Sequence, residues 1–275
     1  MRFALSIGPS AAYSRAPSDR AILLVFVGLV IAFAHWPEAG WRGLDETVLG
    51  AGGFGAMVGL AIFIVLRGAD DIALRQSDRA LIEALSVPLV FPSRDLASMA
   101  TTLLGLALIP RGDARLSSVG QLLVGLAFVD FWAPILLNFA APWLLPFEAY
   151  CAELLLRPFG DYGRSGAVIA AASGHRIVVE QACSAFVNAA KAALMMLVFV
   201  KLDALVVCKR HVVMIAMSVA AMFAMNAARI ALTAVSPEFH LFFHHGLGMK
   251  IMPLLLLIAI AAINWFWPRA KAAAA

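Results

Sequence analysis

The sequence predicts an all-α polytopic membrane protein of six to eight transmembrane helices, with a small extracytoplasmic β-hairpin before Cys183. Three observations carry this reading. Of the 275 residues, 63% are hydrophobic and only 14% charged, against about 25% charged in a soluble domain. The apolar residues fall in runs long enough to cross hydrocarbon, and too many to share one water-soluble core. One stretch is punctuated by Gly160, Gly163, Gly166 and Gly174, which is too broken for a helix.

The apolar runs give spans at about 21–36, 48–66, 117–140, 184–207, 212–235 and 249–267. The stretch 80–110 holds two apolar pieces, 80–92 and 96–109, broken by Pro92, Arg94 and Asp95. It reads as a tight helical pair or as an interfacial segment, and both readings preserve the parity of crossings. The first twenty residues lack a continuous apolar core and do not read as a signal peptide. Three cysteines are too few for a disulfide framework. The chain divides into an N-terminal transmembrane region, 1–140, and a C-terminal region, 141–275, that holds the candidate chemistry.

Basic residues orient the spans. Arg2, Arg15, Arg20, Arg67, Arg75, Arg79, Arg111, Arg115, Lys209, Arg210, Arg269 and Lys271 all fall on one side, which becomes cytoplasmic. The formal net charge of +4 therefore reads as topology and not as a nucleic-acid footprint. The opposite side has the mixed charges Glu38, Arg42, Asp45 and Glu46, with Trp36, Trp41 and Trp143 as an interfacial belt. Segment 141–182 is then extracytoplasmic. It leaves the membrane at Pro142, Trp143 and Pro146 and forms a surface helix over 147–159. Residues 167–172 and 175–180 flank Ser173-Gly174, a two-residue hairpin turn that delivers Cys183 to the next span.

Three side chains on that outer side can carry chemistry. Cys183 lies in Glu180-Gln-Ala-Cys-Ser-Ala-Phe186, directly before an apolar run. A cysteine in the first turn of a helix faces the positive end of the dipole, which favours thiolate, and the same amides could hold an oxyanion. The bland alternative is an inert buried cysteine. Arg229 lies about two turns inside its span, three residues after Asn226 and on the same helix face. A charge at that depth is a functional residue by default, or else one that snorkels to the headgroups. His240, His244 and His245 share one loop with Gly246 and Gly248. His240 and His244 have helical metal-ligand spacing, but no acidic or cysteine ligand adjoins them, so no metal is expected. His35 and His211 lie at span ends on opposite sides and cannot ligate a haem between them. A general base near neutral pH is the better use of a histidine here. His240, nearer the middle of the loop, is expected to face water. Asp130 and Lys191 sit at similar depth in different spans and read as a buried ion pair.

These residues, in this order and spacing, resemble the exosortase/archaeosortase family of membrane transpeptidases. The likeness runs from about Leu155 to Phe266. It takes in the leucine-rich run ending in Gly160, the glycine-punctuated hairpin, the Cys183-Ser184 pair opening a span, the Asn-x-x-Arg of Asn226 and Arg229, and a histidine four residues before a glycine, His244 to Gly248. Ala185 stands where the family usually has glycine. The resemblance implies a cysteine transpeptidase or peptidase with Cys183, Arg229 and His244 as catalytic residues. His245 is the alternative to His244, and Asn226, Ser184 and Glu180 are supporting residues. No cofactor is implied. The implied partners are secreted proteins ending in a sorting tail, which has a short motif (in bacteria often Pro-Glu-Pro), a transmembrane helix and a basic end. The tail would be cut through a thioester at the outer face of the cytoplasmic membrane. Two other classes remain open on the residues alone. One is a transporter or channel with Arg229, Lys191 and Asp130 along a polar path, although no repeated half with broken helices is seen. The other is a non-catalytic scaffold for envelope or exopolysaccharide assembly.

Overall fold

The computed structural model describes residues 18–35, 51–67, 72, 74–89 and 93–266. Expectations for Arg2, Arg15, Trp36, Glu38, Trp41, Arg42, Asp45, Glu46, Pro92, Arg269 and Lys271 lie outside them. The described chain is a helical bundle with a small sheet at one end. Its elements are α1 (Asp19–His35), α2 (Ala51–Leu66), α3 (Gln76–Leu89), α4 (Arg94–Leu108), α5 (Ala114–Ala127), α6 (Ala133–Leu156), β1 (Tyr162–Ser165), β2 (Val168–Ala171), β3 (Arg176–Val178), α7 (Ala185–Asp203), α8 (Lys209–Val235), α9 (Pro237–His245) and α10 (Gly248–Phe266). By length and apolar composition, three described helical stretches could cross a membrane: Ala114–Phe159, Gln181–Asp203 and Lys209–Val235. Shorter apolar helices cover Gly55–Leu66 and Ile251–Phe266.

The stretch 80–110 is the helical pair α3 and α4. Arg94 and Asp95, expected to break it, instead open α4, where Ser93 caps the Leu96 N–H. An acidic residue in the first turn suits the positive end of the helix dipole. Asp78, in the first turn of α3, is 2% exposed and paired with Arg111 from the α4–α5 connection. At the head of α1, Asp19 accepts from Leu74 N (2.9 Å) and pairs with Arg79 (2.6 Å). α4 and α5 meet through glycines. A Cβ on Gly120 would stand 2.6 Å from Gly105 O, and one on Gly105 would stand 2.8 Å from Gly120 O. Only a bare backbone fits that approach, the small-residue packing that apolar helices use where water supplies no drive.

Two sequence expectations need correction. The chain does not leave its helix at Pro142. Helix α5 passes through a π-helical turn at Phe128–Trp132 into α6, which contains both Pro142 and Pro146 and continues to Leu156. Proline removes one helical donor, yet long apolar helices absorb it when neighbours satisfy the freed carbonyls. The separate surface helix at 147–159 is thus the end of this long helix, and residue 140 falls within it. The π turn also carries Asp130. Arg94 donates to its carbonyl (3.3 Å), and Lys191 lies within electrostatic reach of its side chain. Second, the break expected between 207 and 212 comes earlier, and Lys209 and Arg210 are the first residues of α8. The preceding span ends at Asp203, and residues 204–208 make the connection. Buried Lys201 closes that end, donating to Leu205 O (2.7 Å) and Ser118 Oγ (3.2 Å).

The expected hairpin is present as β2–β3, with a third strand, β1, added on its outer edge. Both links are antiparallel, with Ser165 opposite Val168 and Ile169 opposite Ile177. The two turns use Gly166 at φ +60° and Gly174 at φ +88°, where a side chain would be strained. Ile169, Ile177 and Val179 point inward onto Ala149, Ala152 and Leu156 of α6 and Ile230 and Ala234 of α8. Outside, Glu153 at the end of α6 holds Arg164 of β1 (3.1 Å) and Arg157 (3.1 Å). The sheet is therefore fixed to both helices that frame the site.

Candidate active site

Cys183 ends a 3-10 turn, Gln181–Cys183, whose N–H bond from Cys183 to Glu180 O measures 2.9 Å. Ser184 is the N-cap of α7. Cys183 therefore precedes the cap, two positions short of the first-turn placement the sequence suggests. The helix-start amides are also occupied. Ala185 N donates to both oxygens of Glu148 (3.0 and 3.2 Å), Phe186 N to Ser184 Oγ (3.2 Å), and Ser184 N to Gln181 O (3.1 Å). An oxyanion cannot use donors already spent within the protein. That correction moves the task of charge stabilisation to side chains.

Glu148 is the residue the sequence reading missed. It is 3% exposed and stands on α6 between Phe147 and Ala149. It accepts from Ser184 Oγ (2.7 Å), Ala185 N and Asn226 Nδ2 (3.2 Å), and the Arg229 charge also reaches it. A buried carboxylate is costly unless its lone pairs are filled, and here they are. One acidic residue on the α7 dipole end ties α6, α7 and α8 together. The available signal was an acid within an apolar helix, a placement that is functional by default.

Asn226 and Arg229 do share a face of α8, and both reach the same atom. Asn226 Nδ2 donates to Cys183 O at 2.8 Å and Arg229 Nη2 at 3.2 Å. Asn226 is 2% exposed and Arg229 half-buried. The pair fixes the Cys183 main chain, so the thiol has a defined direction. Arg229 also lines the cavity in front of it.

The segment after α8 is helix α9 and not an open loop. Ser236-Pro237 explains the break. A residue before proline is pushed to extended backbone, and Ser236 has φ −157° and ψ 163°. Its hydroxyl then caps Phe239 N (3.4 Å), with Pro237 at the first helical position. Helical spacing stacks His240 on His244, with ring centroids 4.5 Å apart. His240 thus faces the cavity and a second ring, contrary to the expectation that it faces water. His244 Nε2 lies 3.6 Å from Cys183 Sγ. The glycines after α9 permit a close return: a Cβ on Gly248 would meet Phe243 at 2.6 Å and Phe242 at 2.8 Å. The His245 side chain lies outside the described placements. Glu180 is exposed at the cavity rim. His175, from the β2–β3 turn, bonds Thr233 O (3.1 Å) and pins the sheet to α8.

Cys183, Arg229, His240 and His244 therefore line one cavity of about 300 Å³ together with residues 176–180. A thiol with an imidazole in reach and a guanidinium alongside can run nucleophilic catalysis. The other cysteines lack this setting. Cys151 is near Glu148, and exposed Cys208 caps α8 beside His211 (3.5 Å) at the far end of α7. No group of three potential metal ligands occurs among the described residues.

Compared with known proteins, the chain matches the family model described as transmembrane exosortase over residues 10–261. No curated protein and no solved structure matches it. The match includes the N-terminal region, which the residue motifs alone did not reach.

Proposed function

The chain belongs to the transmembrane exosortase family, and from that premise we propose that it is a membrane cysteine transpeptidase or peptidase. Its substrates would be secreted proteins with a C-terminal sorting tail, cut at the extracytoplasmic surface of the cytoplasmic membrane. The observation that supports this most is the 3.6 Å approach of His244 Nε2 to Cys183 Sγ, beside Arg229, in one cavity.

In this mechanism His244 takes the Cys183 proton as Sγ attacks the scissile carbonyl carbon. The C–S bond forms, and the carbonyl electron pair moves to oxygen, where Arg229 stabilises it. Collapse breaks the C–N bond. His244 delivers its proton to the departing amine, leaving an acyl thioester on Cys183. An acceptor, water or an amine, then loses a proton to His244 and attacks the thioester, and the proton returns to sulfur. Asn226 and Glu148 act as positioning residues. They hold the Cys183 carbonyl and the start of α7, and leave the sulfur free to move only about its own side-chain bond.

The test is conversion of tailed precursors to mature proteins in cells carrying Cys183→Ala. Precursors should accumulate while the variant protein persists in the membrane at the normal level, and Cys151→Ala and Cys208→Ala should process normally. Normal conversion by Cys183→Ala would end this reading.

A further inference from the structure

Part of the lining of this cavity is a sheet edge, and its hydrogen-bonding direction follows from the register. Among the described residues, β3 pairs with β2 on one side, and the strand order β1-β2-β3 leaves its other side without a strand. Ile177 faces Ile169 across the pair, flanked by the bonds Ala171 N to His175 O and Val179 N to Ala167 O, each 2.9 Å. Residues 175, 177 and 179 therefore spend their main-chain groups on β2. In an antiparallel ladder alternate residues point away, so the N–H and C=O of Arg176 and Val178 point out of the sheet. The extended course continues to Glu180, at φ −96° and ψ 169°. The 3-10 turn then folds back and sets Cys183 at the end of this edge.

The cavity is lined by residues 176–180 of the edge but by none of β1 or β2. The open hydrogen-bonding side of β3 therefore faces the same space as Cys183, Arg229, His240 and His244. α9 lines it too, through His240 and His244. Its volume is about 300 Å³, the lower end of the range for small-ligand pockets. A space of that size suits a single extended peptide segment and not a folded sheet. Unpaired strand edges are natural templates for added strands, and proteins use them to bind extended peptides.

We propose that the substrate segment on the acyl side of the scissile bond binds as a fourth strand on β3, pairing its main chain with Arg176 and Val178. The proposal rests on the cysteine-enzyme reading. Main-chain pairing would supply affinity and draw the chain straight along the edge, so that its last carbonyl carbon meets Cys183 Sγ. Side chains would matter only at alternate positions, because a strand presents every second residue to each face.

The experiment uses the full-length protein in membrane vesicles and measures the rate at which Cys183 is alkylated. The probes are acetyl-tetraalanyl chloromethyl ketone, which bonds sulfur with loss of chloride, its four single N-methyl analogues, and iodoacetamide. N-methylation at alternate amides should slow alkylation about five- to tenfold, the worth of one hydrogen bond. The intervening analogues should react like the parent. Val178→Pro removes one outward N–H without touching the β2 ladder, and should slow the peptide probe alone. Equal rates across the N-methyl series overturn the proposal. That series uses the unaltered protein, so it decides even if the proline variant misfolds. If Cys183→Ala still converts precursors, the enzyme reading fails. If Cys183→Ala is inactive and the N-methyl series is flat, only the strand pairing fails.

Discussion

At the residue scale, the site depends on how Glu148 is satisfied. Three donors converge on one buried carboxylate. Removing it leaves the Ser184 hydroxyl, the Ala185 amide and the Asn226 amide without their acceptor, and breaking such buried arrangements costs about 3–5 kcal/mol. Glu148→Ala should therefore lower the thermal midpoint of the detergent-solubilised protein by many degrees. Glu148→Gln keeps an acceptor for Ala185 and Ser184 but turns an NH₂ toward Asn226, so it should lie between. An unchanged midpoint in the alanine variant would show that this carboxylate does not hold the three helices together. The histidines divide in a similar way. His244 touches the sulfur, and loss of a general acid–base group costs about a hundred- to ten-thousand-fold. His240 stacks on the His244 ring and meets the His175 ring edge-on. His244→Ala should abolish precursor processing and His240→Ala should slow it several-fold. Equal loss in both variants would make the two rings one functional unit.

At the element scale, legibility in the sequence followed how local each determinant is. Pro237 after Ser236 and the glycines at 166 and 174 act within a few residues, so the break after α8 and the β2–β3 turn were readable in advance. Pro142 and Pro146 looked like equally local stops, but α6 runs through both because the bundle around it decides. β1 pairs with β2 and is tied to α6 by Arg164 and Glu153, a contact between residues eleven apart that no periodicity reports. For the same reason Cys183, Arg229 and His244 could be named from motif order, while Glu148 and the stacking of His240 depended on three-dimensional approach. The α4–α5 crossing gives an element-scale prediction. Gly120→Ala puts a methyl 2.6 Å from Gly105 O, which must push the helices apart. Overpacking of this kind costs about 1–3 kcal/mol. The variant should accumulate less and melt earlier, yet retain site chemistry per folded molecule, because this crossing lies outside the Cys183 cluster. Wild-type melting would mean that the helices separate without loss.

At the scale of the whole molecule, the chemistry depends on which side of the membrane the sheet occupies. Cys183 precedes α7, and Cys208 follows it at the start of α8. A 19-residue helix rises about 28 Å, close to the thickness of hydrocarbon. The two thiols therefore stand near opposite ends of α7, one beside the sheet and one beside Lys209 and Arg210. Basic residues favour the cytoplasmic end of a span, so the proposed orientation has Cys208 inside and Cys183 outside. A membrane-impermeant maleimide added to intact spheroplasts should modify Cys183 and spare Cys208, and lysis should then expose Cys208. Cys183 is only 9% exposed, so its labelling will be slow, and a Cys151→Ala, Cys208→Ala background isolates its signal. Cys208 is exposed and should label quickly once the reagent reaches it. Rapid labelling of Cys208 in intact spheroplasts, with Cys183 protected until lysis, would invert the orientation. The cavity would then open to the cytoplasm, where a sorting tail on a secreted protein could not be presented to it.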